Sequence, residues 1–276
     1  MTRYALNPAT PVLSRPDGTV QVGWDPRRAV IVAPPPELPA AVLADLLRTL
    51  QGAATVPELL ASGLDAGVVT GLLSHLIERG LVAPVSVAPP GVRSAALRVH
   101  GDGPLADLVV SAMRCSGVRI SHTARTHASP AAADLAVLTD YLVADPRVVR
   151  DLHEAGVAHL AVRVRDGIGL VGPLVIPGVT SCLRCADLHR SDRDPAWPAI
   201  ATQLCRTVGS ADRATILGTA ALALREVHHV LRAVPGHDGG GAPSGPPPTL
   251  DTTLEFDVGA GTVTARRWTR HPGCSC

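Results

Sequence analysis

The stretch Ala95-Ala-Leu-Arg-Val-His100-Gly-Asp-Gly-Pro-Leu-Ala-Asp107 carries an apolar strand pattern into a glycine turn and out into an apolar helix pattern. Gly101, Gly103 and Ala106 match the GxGxxA form of a dinucleotide fingerprint, in which small residues let the backbone approach a phosphate at a helix N-terminus. Two features oppose that use. Asp102 puts a negative charge in the loop, and Pro104 removes an N–H donor. About 20 residues on, where an acid would hold ribose hydroxyls, the chain reads Ser121-His122-Thr123. The pattern favours a turn kept for helix packing over one that holds nucleotide. Asp140 closes the apolar run 135–139, at the strand end where α/β proteins place ligands, and an N-cap accounts for it equally well.

Outward from this turn, strands at 95–99, 118–121, 135–139, 159–164 and 170–176 alternate with helices at 105–113 and 146–155. A long helix covers 211–233, with Ile216, Leu217, Ala220, Leu224 and Val227 inward. A hairpin over 249–258 and 262–268 follows the Gly/Pro-rich segment 235–248, read as a mobile loop. The expected fold class is α/β: a Rossmann-like, mostly parallel sheet with a C-terminal hairpin.

Residues 1–88, closed by the breaker Ala88-Pro-Pro-Gly91, read as a separate small α+β domain, with the sheet domain over 94–276. Strands are predicted at 19–23 and 29–33. Helices are predicted over 38–50, from the capping box Thr55-Val-Pro-Glu58, and over 66–79, with a strand at 81–82. The order suggests a winged-helix-like unit.

Cys182-Leu-Arg-Cys185 has the spacing of a metal knuckle, and Cys274-Ser-Cys276 adds a second pair after the bend-permitting Pro272-Gly273. Four soft ligands predict one closed, structural Zn2+ site that clips the tail to the body. The alternative is a redox or ordinary Cys182/Cys185 pair with a frayed terminus. Cys115 reads as a buried small hydrophobe. Cys205, beside Arg206, is either structural or a thiol of lowered pKa. The polar run His189, Arg190, Asp192, Arg193 and Asp194 fits a partner groove beside the metal and, equally, a solvated loop in which Asp194 caps a turn over Trp197.

Composition excludes several functions. A net charge of +1 across 276 residues offers no field for nucleic acid or anionic membrane. With no lysine, Schiff-base chemistry and a phosphate-gripping lysine are absent. A winged-helix DNA regulator needs a basic recognition helix, and 66–79 holds only Arg79 beside His75. No signal layout and no long apolar run are present, so a cytoplasmic protein is expected, in which paired cysteines point to metal.

The glycine turn, Asp140, the stretch Gly172-Pro-Leu-Val-Ile-Pro-Gly178-Val-Thr-Ser-Cys182-Leu-Arg-Cys185 and the closing Cys-Ser-Cys276 resemble the ThiF-like, or ubiquitin-activating-like, superfamily. More narrowly, Cys185-Ala-Asp-Leu-His189 through Trp197-Pro198 is similar to an actinobacterial branch of leader-peptide-binding partners of cyclodehydratases. The resemblance implies an N-terminal RiPP recognition element and a non-catalytic body. Such a protein presents a precursor peptide to a separate YcaO enzyme in ribosomal peptide natural-product biosynthesis; homodimers through the sheet domain are common. Peptide capture would be strand addition at the sheet of residues 19–33, with Val20, Val22, Val30, Leu72 and Leu76 lining the groove, although most of these also serve the domain's own core. An adenylyltransferase using ATP at Gly101, Gly103 and Asp140 to activate a peptide or carrier C-terminus is the alternative that the superfamily implies.

Overall fold

The computed structural model describes residues 2–61, 63–85, 94–114, 116–124, 133–234 and 245–276. The breaker at 88–91, Cys115 and positions 235–244 of the glycine-rich segment lie outside the described residues. The chain divides into two units, Met1–Pro90 and Gly91–Cys276.

In the first unit the strands are β1 (Arg3–Leu6), β2 (Val12–Ser14), β3 (Val20–Val22) and β4 (Val30–Val32), followed by helix α1 (Ala40–Gln51). Then come β5 (Ala54–Thr55), α2 (Val56–Leu60), α3 (Ala66–Glu78) and β6 (Val82–Val85). They form two antiparallel three-stranded sheets, ordered β5-β1-β6 and β2-β3-β4. The capping box at Thr55 and Glu58 is formed as the sequence requires, each side chain meeting the other's backbone N–H. Asp65 caps α3 by accepting from Gly67 and Val68. β1 and β2 were not expected; β1 is only four residues long and is held by partners some 50 to 80 positions away, which no local pattern announces.

In the second unit, β7 (Ala96–His100), α4 (Pro104–Met113), β8 (Arg119–Thr123), β9 (Leu135–Thr139), α5 (Pro146–Glu154) and β10 (His159–Arg165) make the parallel portion. They are followed by β11 (Ile168–Val175), α6 (Leu183–Arg193), α7 (Trp197–Leu204), α8 (Arg213–Arg232), β12 (Thr252–Asp257) and β13 (Thr262–Arg267). The seven-stranded sheet is ordered β13-β12-β11-β10-β9-β7-β8. β8, β7, β9 and β10 run parallel, and β11 to β13 extend the sheet antiparallel.

Strand alternation divides this sheet into two faces. Leu160, Val162 and Val164 point to the side packed by α4 and α8, whose Val109, Met113, Ala223 and Val227 are fully buried there. Ala136, Leu138, Ala161 and Val175 point to the other side, covered by Val148 and Leu152 of α5 and by Cys182, Leu183 and Cys185 at the start of α6. Helix α8 is buried along one stripe only; Leu217, expected inward, is 44% exposed. The polar run after Cys185 is helical, and α7 follows it, where a loop was one of the two expectations.

Candidate functional site

Cys182 ends the coil after β11 as the N-cap residue of α6, which puts Cys185 one turn along on the same side. The tail beyond β13 turns at His271, where the Cys274 N–H donates to the His271 carbonyl, and this brings the last two cysteines against the first two. The Sγ atoms lie 3.8 Å apart for Cys182–Cys185, 3.6 Å for Cys182–Cys274 and 3.4 Å for Cys185–Cys276. All four fall within 4.8 Å of one another. Thiolates at about 2.3 Å from a tetrahedral centre are about 3.8 Å apart, whereas a disulfide needs about 2.05 Å. The four thiols are free, and their spacing fits a metal ion and not a bridge.

The electrostatics agree. Burial pushes the Cys182 thiol well up. Burial also acts against ionisation of Cys185, yet backbone N–H groups, that of His271 foremost, outweigh it and bring the thiol down to about 7. Such donors solvate sulfur charge at a metal knuckle.

Beside the cysteines, His189, Asp192 and His271 bring a second set of donor atoms together. His271 Nε2 lies 2.8 Å from Asp192 Oδ2, while its Nδ1 accepts from the Gly273 N–H at 3.0 Å. With Nδ1 already an acceptor, Nε2 carries the proton and donates to Asp192, so this ring has no lone pair left for a cation. His189 Nε2 donates to the Thr269 carbonyl at 3.1 Å, and Arg270 donates to the Gly178 carbonyl at 2.8 Å. The polar run thus fastens the tail to α6. Asp194 accepts from the Ala196 N–H at 2.9 Å, the turn cap that the sequence offered as one of its two accounts. Arg190 stacks between Trp197 and Trp268, with its carbon CZ 4.8 and 5.3 Å from their ring centroids.

At the glycine turn, Asp140 is 1% exposed and sits at φ +69°, a left-handed conformation that Asp tolerates better than most residues. Its carboxylate oxygens accept from the Leu105 N–H at 2.9 Å and the Ala106 N–H at 3.1 Å, capping α4 from a different strand. Burial drives its pKa up, and the two N–H bonds and Thr139 pull against that rise. A Cβ at Gly101 would collide with Thr139 and Asp140, and one at Gly103 would meet the Asp140 carboxylate. The glycines are therefore needed for an internal carboxylate. His122, at the position of the missing ribose acid, donates to the Gly101 carbonyl at 2.9 Å. A cleft of about 750 Å³ opens next to this turn, with His100, Tyr141, Arg147 and Arg206 on its walls. Arg147 is paired with Asp145 at 3.1 Å.

The remaining candidates occupy the first unit or the cleft wall. Val20, Val22, Leu72 and Leu76 are 0, 1, 6 and 0% exposed and belong to the small unit's core; Val30 is half-buried on strand β4. Cys205 bonds the Ala144 carbonyl, and burial followed by the charges of Asp145 and Asp187 raises its pKa, against a reactive thiolate.

No protein-family model and no curated protein matches the sequence. Among solved structures, the heterocyclase TruD aligns over 100% of this chain and 42% of its own, at 18% identity and a TM-score of 0.63. E. coli MccB with ATP aligns over 99% of both chains at 13% identity and 0.55. The microcin C7 biosynthetic enzyme MccB in complex with N-formylated MccA aligns over 99% of both at 12% and 0.56. This chain therefore has an MccB-like, ThiF-like fold, which extends through nearly all of MccB and about two fifths of TruD.

Proposed function

We propose that this chain is a non-catalytic ThiF-like adaptor that binds the leader of a precursor peptide and presents it to a separate modifying enzyme of YcaO type. The observation that carries this reading is Asp140: its carboxylate takes the α4 N–H groups that a nucleotide phosphate would use. The likeness to the heterocyclase TruD and to MccB in complex with MccA supports a role in peptide modification. In the winged-helix-like first unit, β4 is an edge strand of its sheet, with Ile31 51% exposed, and suits capture by strand addition. Val20, Val22, Leu72 and Leu76 then act as the packed floor beneath that edge, and Val30 is the one nearest the incoming strand. The metal is Zn2+, held by Cys182, Cys185, Cys274 and Cys276 without an open position, and its role is to fix the tail.

Calorimetric titration of the full chain with a peptide encoded beside its gene tests this function. Saturable, ATP-independent binding weakened by Ile31→Pro is expected, because proline at an edge breaks main-chain pairing. Absence of binding would remove the adaptor reading. The cleft of about 750 Å³ beside Asp140 favours a second reading, an adenylyltransferase. That enzyme would show ATP-dependent pyrophosphate exchange abolished by Asp140→Ala.

A further inference from the structure

Arg163 lies on the α5/α6 face of the sheet, two positions beyond Ala161 in the β10 alternation, and is 8% exposed. Its side chain lines a cavity of about 570 Å³ between α5, α6 and the tail. Among the described residues no acceptor bonds its guanidinium. Asp187 acts on it at longer range only, and one Asp187 oxygen already accepts from Arg190 at 2.9 Å and from the Trp197 indole at 3.2 Å. Burial, reinforced by the like charges of Arg190 and Arg165, pushes Arg163 down to about 10, so it is still a cation near neutrality.

A buried, unpaired guanidinium is unfavourable unless an acceptor arrives from outside the chain. The cavity's charged groups are Arg150, Arg163, Arg184 and Arg190 against Glu154 and Asp187, an excess of positive charge. Its other walls include Leu142, Val149, Leu183 and Trp268, which are apolar. A planar fork at the bottom of an apolar cavity matches one carboxylate on an apolar body better than a multiply charged, fully hydrated phosphate.

We infer that this cavity is a binding site for an apolar carboxylate, received by the Arg163 guanidinium between α5, α6 and the metal-held tail. The carboxylate is either that of a free acid or the side chain of an acidic residue on a peptide. The site is separate from the first unit and from the Asp140 turn, and it stands whether or not the adaptor reading does.

The test is calorimetry of the full-length, metal-loaded chain with hexanoate, hexanamide and inorganic phosphate. A second arm compares end-blocked peptides carrying one internal Glu between leucines with their Gln counterparts. Hexanoate is expected to bind at least tenfold more tightly than hexanamide, with phosphate no better than hexanamide. Arg163→Met should erase the preference while melting no lower than the parent, which separates lost recognition from lost folding. A further tenfold gain of the Glu peptide over hexanoate would assign the site to a peptide side chain, and its absence to a free acid; both support the site. Equal binding of acid and amide in both arms, preference for phosphate, or an intact preference in Arg163→Met would overturn it.

Discussion

Asp140 and Arg163 are both buried charges on one sheet, and the chain treats them in opposite ways. Asp140 is met by two helix N–H groups and walled in by Gly101 and Gly103. Arg163 faces a cavity with no bonded acceptor among the described residues and two further arginines acting on it. A charge saturated from within is architecture, however closely its motif matches a ligand loop. A charge left open is where a ligand is needed.

The largest expected effect tests the wall of the open site. Cys274→Ser combined with Cys276→Ser should abolish stoichiometric metal and remove on the order of 5 kcal/mol from the second unit. Hydrogen exchange should then rise around residues 268–276 and stay unchanged at 101–106; a rise at both would dissolve the contrast between the two regions. Next in size, Asp140→Ala orphans two buried N–H donors and should lose about 4 kcal/mol in urea unfolding, with Asp140→Asn losing roughly half, since each unmet donor costs about 1–3 kcal/mol. A loss below about 1 kcal/mol would mean that the turn does not depend on its carboxylate.

His159 sharpens the comparison from Arg163's own face. It is 0% exposed, its Nδ1 donates to the Val157 carbonyl at 3.0 Å, and its Nε2 has no partner. Burial lowers its pKa from the ordinary 6.5 to about 4. The unfolded chain therefore binds a proton at a pH where the folded chain does not. Stability is undiminished above about pH 6.5 and falls as the pH drops toward 4, by about 3 kcal/mol for this group. Urea midpoints against pH should show that slope flatten in His159→Leu. The smallest effect has the opposite sign: Arg163→Met, measured without ligand, should gain about 1–2 kcal/mol, because an unpaired buried charge is removed. A loss instead would mean that the guanidinium is satisfied within the chain.

The metal ligands and the glycine turn were legible in the sequence because their chemistry is local: paired thiols at fixed spacing, and small residues between a strand and a helix. What the turn accommodates was half legible. An N-cap was one of two accounts of Asp140, but the helix it caps begins 36 positions earlier, at Pro104. Arg163 was not legible. In His159-Leu-Ala-Val-Arg-Val-Arg165 it alternates with apolar residues as a solvent-facing arginine would, and only packing by α5 and α6 reveals that its face is covered. Helix α6 was hidden by its own charge density. Its Arg190 and Asp187 are held by Trp197 and Trp268, of which Trp268 lies 78 residues beyond Arg190.

Trp268, Cys274, Ser275 and Cys276 form one side of the Arg163 cavity. The metal that gathers the terminal cysteines therefore also shapes the pocket, and the two occupancies are thermodynamically linked: whatever factor metal adds to carboxylate affinity, carboxylate must return to metal affinity. A cell short of the ion would lose both together, and saturating carboxylate would slow the escape of the ion to a chelator.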